Sequence, residues 1–221
     1  MKQKILDAFN FRHACKEFDP EKRISDEDFA FILETARLSP SSFGFEPWHF
    51  LIVQDMKVRE KLAEHCWGGK KQFPTASHLV IGLVKKGCFM RWDSEYVQDF
   101  MRYVQELPED IVKMKGDFFR KFEEEDFDLL CSDRALVDWA THQAYLPLAN
   151  MMTAAALIGI DSCPMEGFHK KSMEAALHRE LGIDLDKYTM AYAVAFGHRK
   201  NDPRPKTRRP MDAITTWIKG D

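Results

Sequence analysis

The chain has 221 residues, with 32 basic against 35 acidic side chains and a formal net charge of −3. That near-neutral balance excludes a general polyanion binder such as a nucleic-acid coat, and 45% hydrophobic with 30% charged residues excludes an intrinsically disordered chain. No apolar run approaches the roughly 20 residues of a membrane span, residues 1–10 lack an apolar signal core, and five scattered cysteines without Cys-x-x-Cys point to neither a disulfide scaffold nor a metal cluster, so a cytoplasmic protein is expected.

Residues Phe29, Ile32, Leu33 and Ala36 fall at helical spacing and predict a helix over Asp26–Arg37. Ser25 is its N-cap, Asp26, Glu27 and Asp28 face the positive end of its dipole, and Ser39-Pro40 stops it. Trp48–Gln54 reads as a buried strand, Asp55–Cys66 as a helix and His78–Val84 as a second buried strand. Gly87–Asp128, rich in charge and aromatic rings, predicts two or three helices that leave the core. Ser132–Leu157 reads as one long apolar helix bent at Pro147, whose ring removes a backbone bond. A short strand at Gly159–Pro164, a helix at His169–Leu181 and a strand at Met190–Gly197 follow. The basic, proline-rich Lys200–Pro210 is expected to be extended, and Met211–Lys219 to form a last helical turn or a strand. Without repeats or Gly/Ser linkers, 1–221 is expected to be one domain. Long helices around a few strands, with no strict βαβ alternation, make it α+β. No Gly-x-Gly-x-x-Gly follows a strand, and Gly68-Gly69-Lys70 lacks the spacing of a phosphate-binding P-loop.

Three segments can carry chemistry. Arg12 and Lys16 can converge on one anion, and Lys206-Thr207-Arg208-Arg209 forms a second basic group. Taken alone, each reads as an ordinary solvated basic turn. The loop Ser39–Trp48 offers hydroxyls and amides to polar ligand edges, and Phe43 and Phe45, read as exposed, can cover a flat ring; it is equally a plain helix-to-strand connection. Asp161–Phe168 holds Cys163, read as an inert core thiol, and Gly167, which permits positive φ or close backbone approach.

Together these segments resemble the FMN-dependent nitroreductase superfamily, in its small bacterial NAD(P)H branch. The resemblance rests on Arg12-His13-x-x-Lys16-x-Phe18-Asp19, Ser39-Pro40-Ser41-Ser42 followed by Pro47-Trp48-His49-Phe50, Gln143-x-Tyr145-Leu146, Pro164-x-Glu166-Gly167-Phe168, and Lys206-x-Arg208 with Asp212-Ala213. It implies an antiparallel sheet flanked by helices, and a homodimer in which the C-terminal tail, through Ile214–Ile218, adds to the partner's sheet. It implies FMN at the interface and NADH or NADPH as co-substrate. Arg12, Lys206 and Arg208 would hold the FMN phosphate. His13, Ala14 and Lys16 would follow the ribityl chain and pyrimidine edge, Gln72 would touch that edge, and Pro164, Met165, Glu166 and Gly167 would pass the central ring. Pro40, Ser41, Ser42, Gly44 and Gln143 would come from the partner subunit. Gly44 and Glu46 stand where many relatives have Asn and Gln, and Phe43 and Phe122 are the candidate substrate gate. The implied activity is ping-pong hydride transfer through flavin N5 to nitroaromatics, nitroheterocycles or quinones, with no side-chain nucleophile or metal. Enone reduction, reductive dehalogenation and FMN binding without turnover remain open on the same scaffold.

Overall fold

The computed structural model describes residues 1–220. Its elements, in chain order, are α1 (Lys2–Phe11), α2 (Asp26–Arg37), β1 (Trp48–Val53), α3 (Met56–Ala63), α4 (Gln72–Thr75), β2 (His78–Lys85), α5 (Glu95–Asp99), α6 (Glu109–Lys121), α7 (Asp133–Leu157), β3 (Asp161–Met165), α8 (Lys170–Leu181) and β4 (Tyr188–Gly197). Local chemistry sets the helix starts. Ser25, Asp55, Ser94 and Ser132 each accept from a first-turn amide of the helix that follows, satisfying donors that have no intrahelical partner. Gly182, at φ 67°, ends α8 in the left-handed conformation.

The sheet order is β1-β2-β4-β3, and every pairing is antiparallel. Central β2 is buried at every position and β4 at all but Tyr188, which is why their sequences are almost continuously apolar instead of alternating. Side chains still divide by face. Val80, Val84, Val194 and Phe196 pack with α2, α7 and the 87–128 excursion, while Leu79, Ile81, Ala193 and Ala195 pack with α3, α4 and α8. The long α7 continues through Pro147 as one helix, with Pro147 itself buried beside Ala144, Leu148 and Met151.

The excursion contains α5, which runs on into a π-helical stretch at Phe100–Val104, and α6, which runs on into another at Phe122–Asp126. The expectation that Phe45 is exposed is overturned. Phe45 is fully buried, with ring centroids 4.9 Å from Phe119 and 6.3 Å from Phe100. Excursion aromatics, whose contacts sequence spacing does not reveal, supply its cover. The expected last element at Met211–Lys219 is a single 3-10 turn, Met211–Ala213, and Ile214–Ile218 forms no strand within one chain.

Two buried charges stand out. Arg59 on α3 is fully buried. It donates from Nε to the Val53 carbonyl (2.7 Å) and from its terminal nitrogens to Ala76 (2.7 Å), Ser77 (3.2 Å), Phe73 (3.4 Å) and the Gln54 side-chain oxygen. Burial pulls its pKa down to about 10. Its oxygen partners are all carbonyls, and they tie the end of β1 to α4 and to the start of β2.

Glu123, also fully buried, accepts from the Trp92 amide at 2.9 Å through Oε2, while Oε1 has no partner. Burial pushes its pKa from 4.5 up to about 7. The folded protein therefore holds this proton over a range where the unfolded chain has released it. Its contribution is complete below about pH 4.5 and is lost as pH rises towards 7. Chemical denaturation of Glu123→Gln beside wild type is expected to show the variant gaining relative stability between pH 5 and pH 8. A difference independent of pH would refute this.

Candidate functional site

The first part of the site is a cleft of about 1020 Å³. Arg12, His13, Ala14 and Lys16 form one wall, and Lys206 and Arg208 lie on the other. The isolated bridge between Ala14 and Ser162 and the bond from the Cys15 amide to the Ser162 carbonyl (3.1 Å) fasten the first wall alongside edge strand β3. The tail is held against it because Lys206 Nζ donates to the carbonyls of Phe9 and Arg12. Arg12 is kept below its ordinary pKa by burial and then by the neighbouring Arg208, and Lys206 by burial and then by Arg12 and Arg208. Such cation crowding is relieved by a bound anion.

Beneath the cleft lies a network that spacing did not predict. Buried Asp161 accepts from the Arg199 amide and guanidinium, each bond 2.9 Å, and stands 3.6 Å from His13 Nδ1. Arg199 also lies 4.2 Å from the Phe11 ring. It lines the cleft while its charge is answered from below, so it anchors the Phe11–His13 stretch. His13 is held below its ordinary pKa chiefly by burial, with the Phe11 carbonyl acting the other way. An acid inside the short strand read at Gly159–Pro164 was the available signal, since a buried carboxylate requires a partner.

Pro164, Met165, Glu166 and Gly167 lie at the end of β3 and just beyond it. Gly167 makes a close backbone approach to Gly68 and does not take positive φ. Its carbonyl accepts from the Gly68 amide at 2.8 Å, and a Cβ on Gly167 would meet Gly68 Cα and N at 3.0 Å. Glu166 is exposed and accepts from the Tyr145 hydroxyl. Cys163 is buried, and burial raises its pKa, as an inert thiol requires. Gln72 is buried under the first wall, with Nε2 3.4 Å from the Cys15 carbonyl and 3.7 Å from Cys163 Sγ. Its neighbour Lys71 lines the cleft instead.

The loop residues form a second group, not among those lining the cleft of their own chain. The Ser42 amide donates to Gln143 Oε1 at 2.8 Å, and the Glu46 amide to Ser41 Oγ at 3.0 Å. Pro40 precedes this loop as an exposed residue. Phe43 and Phe122 meet with centroids 5.1 Å apart, and Gly44 takes the left-handed conformation at φ 71°.

An antiparallel four-stranded sheet with helices on both faces, a cationic cleft on its edge strand and a Pro-x-Glu-Gly turn beside it define a nitroreductase-type protein. The chain matches the nitroreductase family over residues 10–198 and belongs to it. It is 47% identical over 218 residues to YfkO of Bacillus subtilis (strain 168), which carries a provisional NAD(P)H nitroreductase name, covering 99% of each chain. Among solved structures it resembles a protein from Exiguobacterium sibiricum 255-15 that carries a provisional nitroreductase name and is in complex with FMN (TM-score 0.76, 23% identity, 97% of each chain). It also resembles CLA-ER, an enone reductase of gut-bacterial fatty acid saturation (TM-score 0.77, 20% identity, 97% and 98% of the two chains).

Proposed function

We propose that the protein is an FMN-dependent NAD(P)H oxidoreductase that reduces nitro compounds or quinones. The observation that carries this reading is the convergence of Arg12, Lys206 and Arg208, from opposite ends of the sequence, on one cleft beside the Pro164–Gly167 turn. The donor set fits a flavin nucleotide. Its phosphate is a dianion near neutral pH, and the nearby acids are already engaged, Glu17 by Lys71 and Lys200 and Asp202 by Arg199. Names of full-length relatives and the FMN complex of a structural neighbour agree with it.

Arg12, Lys206 and Arg208 bind the phosphate. His13, Ala14 and Lys16 follow the ribityl chain, and Lys16 holds positive charge towards the pyrimidine edge. Gln72 acts from beneath, steadying the Cys15 carbonyl. Pro164–Gly167 supplies backbone groups to the central ring. FMN, when bound, supplies the hydride chemistry between NADH or NADPH and the acceptor. A second copy of the chain completes the site with its Ser41, Ser42, Gly44 and Gln143. Exposed Ile5, Leu6 and Phe9 on α1, and exposed Trp217 and Ile218 in the tail, are apolar surface that such a homodimer covers. The five free thiols suit the reducing cytoplasm.

Purified protein is expected to be yellow and to carry about one FMN per chain. Arg208→Ala is expected to weaken FMN binding roughly tenfold or more, the scale of one lost charge-assisted bond. Colourless protein that added FMN cannot reconstitute would overturn the proposal.

A further inference from the structure

The loop that carries Ser41 and Ser42 is strained. Phe43 (φ 57°), Gly44 (φ 71°) and Glu46 (φ 45°) all lie in the left-handed region, where two of the three carry a side chain that disfavours it. All four carbonyls of Phe43–Glu46 face donors from the excursion. Lys115 Nζ donates to the Phe43 carbonyl at 2.8 Å and to Gln105 Oε1 at 2.5 Å. Gln105 Nε2 donates to Phe43 (3.0 Å) and Gly44 (2.9 Å), and the Tyr96 hydroxyl bonds Phe45 (2.8 Å) and Glu46 (3.0 Å). Lys115 is half-buried and also sits 5.1 Å from the Phe45 ring centroid. The opposite side of the loop is tied to Gln143 and to Ser41 Oγ.

We infer that Lys115, acting with Gln105 and Tyr96, is a positioning residue that holds Phe43–Glu46 in its left-handed turn and so sets how the electron acceptor is bound. Without these donors the turn keeps only its bonds to Gln143 and Ser41 against its strain, and Phe43 loses its fixed place against Phe122. The acceptor half of this inference rests on the flavin oxidoreductase reading. The conformational half stands on the geometry alone.

The test compares the wild type with Lys115→Met, which keeps the length of the side chain without its donors, and with Lys115→Arg, which restores a cation and donors. Hydrogen exchange is followed at the Ser42, Gly44 and Glu46 amides, together with FMN affinity and steady-state kinetics with nitrofurazone. In Lys115→Met these amides are expected to exchange about tenfold faster, with exchange in β2 unchanged, and the arginine variant to recover most of the protection. The nitrofurazone KM is expected to rise about fivefold with kcat within about twofold of wild type, and FMN affinity to fall by less than the KM rises, because Arg12, Lys206 and Arg208 still hold the phosphate. Unchanged exchange overturns the clamp, and faster exchange with an unchanged KM overturns the role in acceptor binding. Wild-type protein that binds no FMN sinks the flavin reading, while the exchange measurement still decides the clamp.

Discussion

Arg59→Ala is expected to lower the free energy of unfolding by about 3–5 kcal/mol, on the scale of breaking a buried charge network. Arg59 is fully buried, and its guanidinium fills a cage made by Val53, Phe73, Ala76, Ser77 and Gln54. Alanine removes the donors and leaves the carbonyls behind, each unsatisfied group costing about 1–3 kcal/mol if no water reaches it. A domain with roughly 5–15 kcal/mol in total cannot lose that much unnoticed. Urea denaturation measures the effect. A loss below about 1 kcal/mol would mean that water replaces the guanidinium and that the cage is not structural. Lysine should recover only part of the loss, because one ammonium cannot span the fork.

Asp161→Ala is expected to be the second most damaging change, at about 2–4 kcal/mol. It removes the carboxylate that accepts from the Arg199 amide and Nε and pairs with its terminal nitrogen, and leaves that cation close to Arg12 and His13. The Arg12–Lys16 wall then loses its support from below, so weakened FMN binding should accompany the lost stability. Asp161→Asn keeps an acceptor without the charge and should fall between wild type and alanine. Chemical denaturation paired with FMN titration tests both effects. An alanine variant as stable as wild type would remove the network from any supporting role.

Much of the fold was legible because local signals and burial agree. The Asp26–Arg37 helix and its Ser25 cap are found where the spacing places them, and the apolar runs read as strands at 48–54, 78–84 and 190–197 are strands at 48–53, 78–85 and 188–197. The antiparallel nitroreductase fold follows the order of the quoted motifs. The cleft was legible in part, since its cations could be named but their meeting could not be derived from spacing. What escaped depends on contacts between distant residues. Phe45 reads as exposed when its loop is considered alone and is buried by Phe100 and Phe119 from the excursion. Arg59 looks like an ordinary helix-surface cation within Asp55–Cys66, and only the packing of α3 on the sheet encloses it. Asp161 and Arg199 are 38 residues apart and are joined through the pairing of β3 with β4. Lys115 lies on the amphipathic α6 and Gln105 just before it, and helical spacing shows which face of the excursion is buried but not which distant loop it meets, so nothing local indicates that they reach the Phe43–Glu46 loop.

The bonds from Lys206 to the carbonyls of Phe9 and Arg12 join positions 197 and 194 residues apart. All four strands are complete at Gly197, before Lys206 is reached in the order of synthesis. Every residue of the sheet therefore precedes in the chain the wall that Lys206 and Arg208 add to the cleft. If the cleft holds FMN as proposed, a polypeptide cut near residue 200 should keep its strands yet lack the Lys206 and Arg208 cations that grip the phosphate.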